Sequence, residues 1–401
     1  MTLLKDIVQI EKGRKYNLLE ENQQGAIRVF QANDFRNENK PLYTLDADGV
    51  LAQENDIMLV WDGSVGQMGF GRSGYVGSTM VKLKVKNKKH FSPFFIYRFL
   101  QTKSEYLKRK ATGATIMHIN RKSLEQLEIP DFQLETQLHI AKLLSKAENL
   151  INQRKESIRL LDEFLKSTFL EMFANNTAND KCWNKISLVD GCENKKDVKC
   201  GPFGTQLSKS EYQENGIPVW GIPQINSEFR ILPKEYLTEK KALELDEYSV
   251  IPYDIVMSRK GNVGKCSLFP KGFSKGIIHS DVLRIRTDNN KVHPVFLLFQ
   301  LKYSKKIEMQ IKGVTKGAIM AGINVGLLKY IIIDQPPLEL QTQFAQIVEK
   351  TEVLKTQYQQ SLQELENLYG SLSQKAFRGE LSIKEDNLMM AAEPNIEYKT
   401  L

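Results

Sequence analysis

The sequence predicts an α+β protein with an internal duplication: two α/β globular domains separated by two long helices that pair as an antiparallel coiled coil, with a pseudo-two-fold axis relating the halves. Three observations predict it. An offset of 204 superposes Gly113 on Gly317, Ile119-Asn120 on Ile323-Asn324, Leu134-Glu135 on Leu338-Glu339 and Gln137 on Gln341. Two stretches of about 40 residues carry apolar positions at alternating steps of three and four, the seam of a coiled coil. Between them, short β-rich runs are punctuated by Gly and Pro. A repeat this long is no solenoid unit, whose period is roughly 20–50 residues.

Taken in order, residues 1–132 form the first domain, with strands at 57–61 and 80–85 and a proline-started helical segment near 93–109. Residues 133–174 form the first long helix, its seam running through Leu144, Ala147, Ile151, Arg154, Ile158, Leu161, Leu165, Thr168 and Met172. A polar break at 174–183 opens the second domain, 175–335, with strands at 249–251, 254–257 and 282–286 and a helical segment near 294–311. The second long helix, 336–381, has its seam at Ile347, Thr351, Leu354, Tyr358, Ser361, Leu365, Leu368 and Leu372. The tail, 382–401, is acidic and aperiodic and is expected to be flexible. Each helix would span about 60 Å at 1.5 Å per residue. Two matched seams in one chain bury best against each other, and antiparallel pairing places the domains at opposite ends. The flanking Leu143, Leu160, Val348 and Leu362 widen each stripe and are the expected docking positions for partner helices.

Upstream landmarks repeat too. Asp56-Ile57 with Gly63 and Gly66 falls on Asp254-Ile255 with Gly261 and Gly264, at an offset of 198. The offset differs because loop lengths differ, while the skeleton persists. Such a pattern suggests one mechanical task and two specificities.

Composition is that of a globular protein, with 41% hydrophobic and 26% charged residues in 401. No apolar run reaches the roughly 18 residues of a membrane span, and the N-terminus lacks a signal-peptide core, so no membrane association and a cytoplasmic location are expected. Cys182, Cys192, Cys200 and Cys266 and the five scattered histidines lack metal-ligand spacing, so reduced core thiols and no metal centre are expected. Charge is more telling when divided. Residues 1–130 hold 20 Lys and Arg against 14 Asp and Glu, and residues 183–334 hold 23 against 16, whereas the remainder is net acidic. A basic excess confined to globular domains is the footprint of a polyanion-binding protein.

Catalytic motifs fail in detail. Gly69-Phe-Gly71-Arg-Ser-Gly74 matches a dinucleotide fingerprint, yet a strand follows it where a helix N-terminus should meet the pyrophosphate. Gly261-Asn-Val-Gly264-Lys265 lacks the first glycine of a phosphate loop and has Cys266 where a metal-binding hydroxyl belongs, so a hairpin turn is expected. Asp334-Gln-Pro-Pro337 lacks the aromatic residue of an amino-methyltransferase loop, and Pro130-Asp131 lacks the partners of a nuclease core. The chain is therefore expected to be non-catalytic.

Nucleic-acid contacts are better supported. Lys82, Lys84, Lys86, Lys88 and Lys89 alternate along one strand and its turn, which places ammonium groups on one face. Arg72, Lys108, Arg109 and Lys110 in the first half, and Arg259, Lys260, Asn262, Lys265, Lys312 and Lys316 in the second, cluster around glycine turns where backbone can approach a phosphate. Gly113, Gly317, Asn120 and Asn324 are equally explained as turn formers.

These residues together resemble the specificity (S) subunit of type I restriction-modification enzymes. The resemblance rests on duplicated α/β domains, each closed by Gly-x-x-x-x-x-Ile-Asn, an apolar run, Leu-Glu-x-Gln and a long helix, and on the helix ends at 165–173 and 372–381. It covers essentially the whole chain. It implies two target recognition domains that read the halves of a split double-stranded DNA site, and helices that act as a ruler. It also implies two docked methyltransferase (M) subunits, which use S-adenosylmethionine to methylate adenine N6, and restriction (R) subunits that use ATP and Mg, while this chain holds no cofactor itself. The alternatives are the specificity part of a methylation-only or single-chain system, or a nucleic-acid scaffold without a methyltransferase partner.

Overall fold

The structure, a computed structural model, describes residues 1–35, 40–173, 183–316 and 322–381. The tail at 382–401, Gly317 and the Lys316 side chain lie outside the described residues. The chain divides into two compact units: residues 1–155 with the chain from Gln360 on, and Glu156–Gln359.

In the first unit, Ile57–Val60 is buried at every position, as its unbroken apolar run requires. It is central to an antiparallel sheet in the order Val8–Lys12, Met80–Val85, Ile57–Val60, Met68–Gly69. A second sheet runs Leu42–Thr44, Ile27–Phe30, Gly74–Val76, Leu51–Ala52, and its middle pair is parallel. Thr2–Leu3 pairs with Glu128–Ile129 to close the domain.

The second unit repeats this plan strand for strand. Its antiparallel sheet runs Val198–Cys200, Val282–Ile285, Ile255–Ser258, Cys266–Leu268, and Ile255 faces Ile285 as Ile57 faces Leu83. Its other sheet runs Tyr236–Leu237, Ile217–Trp220, Gly276–Ile278, Ser249–Val250, again with a parallel middle pair. Asn184–Ser187 pairs with Ile332–Gln335 as the closing pair. The duplication therefore extends to topology and register. The expected helical segments are present, but each is broken in two, Pro93–Thr102 with Ser104–Lys110 and Pro294–Tyr303 with Lys305–Gly313.

The long helices are Leu134–Phe173 and Leu338–Arg378, and the chain of each enters both units. In the first turn of each, a fully buried glutamine fastens helix to domain. Gln137 Oε1 accepts from the Ser92 N–H at 2.9 Å, and its Nε2 donates to the carbonyls of His90 at 2.9 Å and Phe132 at 2.8 Å. Gln341 Oε1 accepts from the His293 N–H at 2.8 Å, and its Nε2 donates to Pro336 and Lys291 carbonyls. Asn120 and Asn324 are the N-caps of the short helices that precede each closing strand. The shared landmarks are thus joints, which explains why both copies keep them.

Each unit holds the start of one long helix and the end of the other. In the first, Ile140, Ala141, Leu143 and Leu144 share a core with Leu372 and Ala376, and the Phe377 ring lies 5.5 and 5.3 Å from Phe95 and Phe99. Gly379, at φ +76°, ends the second helix against Phe132, while Lys155 meets Glu366 at 2.8 Å. In the second unit, Phe169 and Phe173 pack on Phe296 and Phe344, and Lys355 meets Asp162 at 2.5 Å. In both units the paired segments run in opposite chain directions.

Two expectations are corrected here. The seam of the second helix passes through Lys355, 9% exposed, and not through Leu354 or Leu368, which are 36% and 40% exposed. A strict seven-residue pattern drifts by about 20° per heptad on a straight helix, so the core takes Phe344 and Val348 beside the expected Thr351 and Leu372. Leu143 and Val348, expected to meet partners, are buried in the cores of their own units; Leu160 is 49% exposed and Leu362 half-buried.

Two outcomes follow from this packing. Gln137→Ala strands the Ser92 N–H and two carbonyls and should lower stability by about 2–4 kcal/mol in urea titration, as should Gln341→Ala; a loss below about 0.5 kcal/mol would show that the joints do not hold the fold. Burial works against the Lys355 charge, but the hydrogen bond to Asp162 and the carboxylates of Glu352 and Glu228 outweigh it and hold this lysine above its ordinary range. A raised pKa adds stability that is complete below about 10.5 and is lost as pH climbs beyond it. The melting-temperature difference between wild type and Lys355→Met should therefore shift in favour of the variant at strongly alkaline pH, and an unchanged difference would remove the ion pair from the account.

Candidate nucleic-acid interface

In each unit a glycine turn joins two antiparallel strands of the central sheet, so the Gly261–Gly264 segment is a hairpin turn. Gly63 and Gly66 both have φ +83°, and Gly261 and Gly264 have +67° and +82°, a region where a side chain is strained. A Cβ on Gly66 would also lie 3.1 Å from the Ser104 carbonyl oxygen. Gly69–Gly74 runs between two strands and offers no helix N-terminus.

Beside the first turn, the loop of residues 112–118 is exposed throughout, including Ile116 and Met117, and Gly63 N–H donates to the Met117 carbonyl at 2.8 Å. Asp62 sits between His118 Nδ1 at 2.7 Å and Lys12 Nζ at 3.3 Å. In the second unit, Arg259 lies over the Phe203 ring at 4.8 Å and donates to the Ile323 carbonyl, while Lys260 pairs with Asp281 at 2.8 Å. Lys265 Nζ donates to the Asn226 carbonyl at 2.9 Å, and Asn262 Nδ2 lies 3.5 Å from Asn226 Oδ1. Lys312 pairs with Glu308 at 2.6 Å, as Lys108 pairs with Glu105. This end of each unit therefore presents cations, aromatic or apolar surface and open backbone together, the combination that grips a polyanion and reads groove edges.

The first domain's cations fall into two groups. The glycine turn lies at the Met80 end of its strand, whereas Lys84, Lys86, Lys88 and Lys89, all exposed, lie towards or beyond the other end. Six residues of strand put Lys86 about 20 Å from Met80, and its Nζ donates to the Lys5 carbonyl. Arg72 is exposed above Phe35, and Arg109 and Lys110 are exposed at the end of their helix, beside the loop.

Lys82 is corrected. Its side chain is 12% exposed, pairs with Glu11 at 2.6 Å and donates to the Leu51 carbonyl at 3.1 Å. The equivalent Arg284 donates to the Ser249 carbonyl at 2.6 Å. Both tie one sheet to the other, so neither presents a free cation. Lys12, His118 and Phe203 were missed because they lie far from the turns in sequence and no motif marks them, and Asp62, beside Gly63, was passed over because only cations were followed.

Burial pushes the Cys192 thiol up to about 12 and the Cys266 thiol up to about 11, which keeps both protonated and unreactive. Among the described residues no helix is long and apolar enough to cross a membrane.

Comparison with known proteins agrees with the duplicated fold. The model of the type I restriction modification DNA specificity domain matches residues 2–160 and 194–367, one match in each repeat. The type I restriction enzyme MjaVIII specificity subunit of Methanocaldococcus jannaschii is 26% identical over 352 residues, which cover 84% of this chain and 82% of that one. A crystal structure of a type I restriction-modification S subunit from M. genitalium superposes with a TM-score of 0.59 at 18% identity, over 94% of this chain and 95% of that one. A chain from a structural study of complex assembly and conformational transition in the type I system gives 0.58 at 15% identity, over 95% and 97%. With both repeats matched, the chain belongs to the type I restriction-modification DNA specificity family and is a specificity subunit, a DNA-recognition component that is not itself an enzyme.

Proposed function

We propose that each repeat reads one half of a bipartite, asymmetric DNA target and that the paired helices set the distance between the halves. Residues 1–132 and 175–335 are the two recognition domains, and 133–174 and 336–381 the helical ruler, an antiparallel coiled coil with pseudo-two-fold symmetry. The chain holds no cofactor itself. Two M subunits dock on the helices, with exposed Leu160 and half-buried Leu362 as contact positions, and bring S-adenosylmethionine for adenine-N6 methylation. R subunits, with ATP and Mg, join through them, and the complex works in the cytoplasm.

The observation that carries this reading is the strand-for-strand duplication, with the same joint at Gln137 and Gln341 and different side chains around the two glycine turns. A duplicated skeleton with unlike loops suits two unlike half-sites read by one chain. The exposed cations of each domain suit DNA, because neutralising phosphates releases counterions.

Sequencing of methylated bases in DNA modified by the complex should return one split motif with an N6-methyladenine in each half; a single undivided motif would contradict the proposal. Removing one heptad from each long helix, about 10 Å of rise, should shorten the unread spacer by about 3 base pairs and leave both half-sites intact. An unchanged spacer would dismiss the ruler.

A further inference from the structure

The two glycine turns correspond bond for bond. Val65 N–H donates to the Gly63 carbonyl and Val263 N–H to Gly261; Val60 N–H donates to the Gln67 carbonyl and Ser258 N–H to Lys265, both at 2.8 Å; Gln67 N–H returns to Ser64 and Lys265 N–H to Asn262. Gln67 and Lys265 therefore leave the same point of the same scaffold. Beside each turn lies an open cleft, about 260 Å³ in the first unit and about 750 Å³ in the second.

Four wall positions of these clefts correspond: Val65 with Val263, Gln67 with Lys265, Lys108 with Lys312, and Ala111 with Thr315. The valines match. The two lysines at the helix ends match as well, each paired with a glutamate of its own helix. Thr315 adds a hydroxyl, but it donates to the Ile311 carbonyl at 2.7 Å. The Thr315 oxygen keeps an acceptor capacity that Ala111 lacks, so among the four only the 67/265 position differs in the hydrogen-bond donors it offers a ligand. Gln67 Oε1 is enclosed and has no hydrogen-bond partner, a state that costs about 1–3 kcal/mol unless a ligand or a side-chain rotation relieves it. Lys265 commits one of its three donors, to the Asn226 carbonyl.

We infer that Gln67 and Lys265 are matched specificity-determining residues, each reading one base pair of its own half-site, with Gln67 set for an adenine edge and Lys265 for a guanine edge. The assignment rests on the DNA-recognition function proposed above. A carboxamide supplies one donor and one acceptor, the complement of adenine N7 and N6; an ammonium supplies donors only, the complement of guanine N7 and O6.

The test uses the full chain produced with its methyltransferase subunits, presented with a randomised duplex library, and the bound sequences are read. Gln67→Lys should move one position of one half-site from adenine towards guanine by roughly tenfold or more and leave the other half-site unaltered. Lys265→Gln should do the reverse in the other half. If Gln67→Lys fails to fold, as seen by circular dichroism, Gln67→Ala decides: levelled preference at that position supports the assignment, and retained preference overturns it. Unchanged motifs in both exchange variants would overturn it while leaving DNA recognition standing. So would a loss of affinity uniform across sequences with a shallower salt dependence, which marks a phosphate contact. A wild-type complex that selects no motif would remove the recognition function and the assignment with it.

Discussion

The structure depends on two buried glutamines. Gln137 and Gln341 each satisfy one N–H and two carbonyls that the helix–domain junction would otherwise bury unpaired. A side chain with both an acceptor and donors suits a junction of mixed backbone polarity, and its placement in the first helical turn fixes where a 40-residue lever leaves its domain. Phenylalanine packing completes the junction, through Phe377 on Phe95 in one unit and Phe173 on Phe296 in the other.

Around these joints the two repeats differ in a way that separates mechanics from recognition. Lys82 and Arg284 differ in type yet perform the same tie between sheets, so substitution there preserves structure. Gln67 and Lys265 share a scaffold yet offer different hydrogen-bonding groups, so substitution there changes what the surface can bind. Asp62 with His118 in one domain and Lys260 with Asp281 in the other place opposite charges at matched positions beside the turn. Conserved skeleton and divergent rim are what a protein with one frame and two specificities needs.

Much of this was legible in the sequence, for physical reasons. The offset of 204 located both joints because the stretches from Asn120 to Gln137 and from Asn324 to Gln341 are equal in length, and each runs from a helix N-cap to a buried glutamine. The unbroken apolar run at 57–60 announced a central strand. The seam was less legible: Lys355 is buried because Asp162 lies opposite, a pairing across nearly 200 residues that no local pattern encodes. The cations were least legible. Lys82 and Lys84 look alike in a list of alternating lysines, and only the position of Glu11 and the Leu51 carbonyl shows that one of them is already engaged.

The central claim, that the two repeats are interchangeable in mechanics and independent in recognition, is tested most directly by exchange of one domain. Residues 5–130 would be replaced by those of another specificity subunit, with Phe132, Gln137 and both long helices retained, and the sequences bound by the assembled complex would be read. The account predicts that one half-site changes while the other half-site and the spacer stay as they were. A change in both half-sites, or in the spacer, would contradict it.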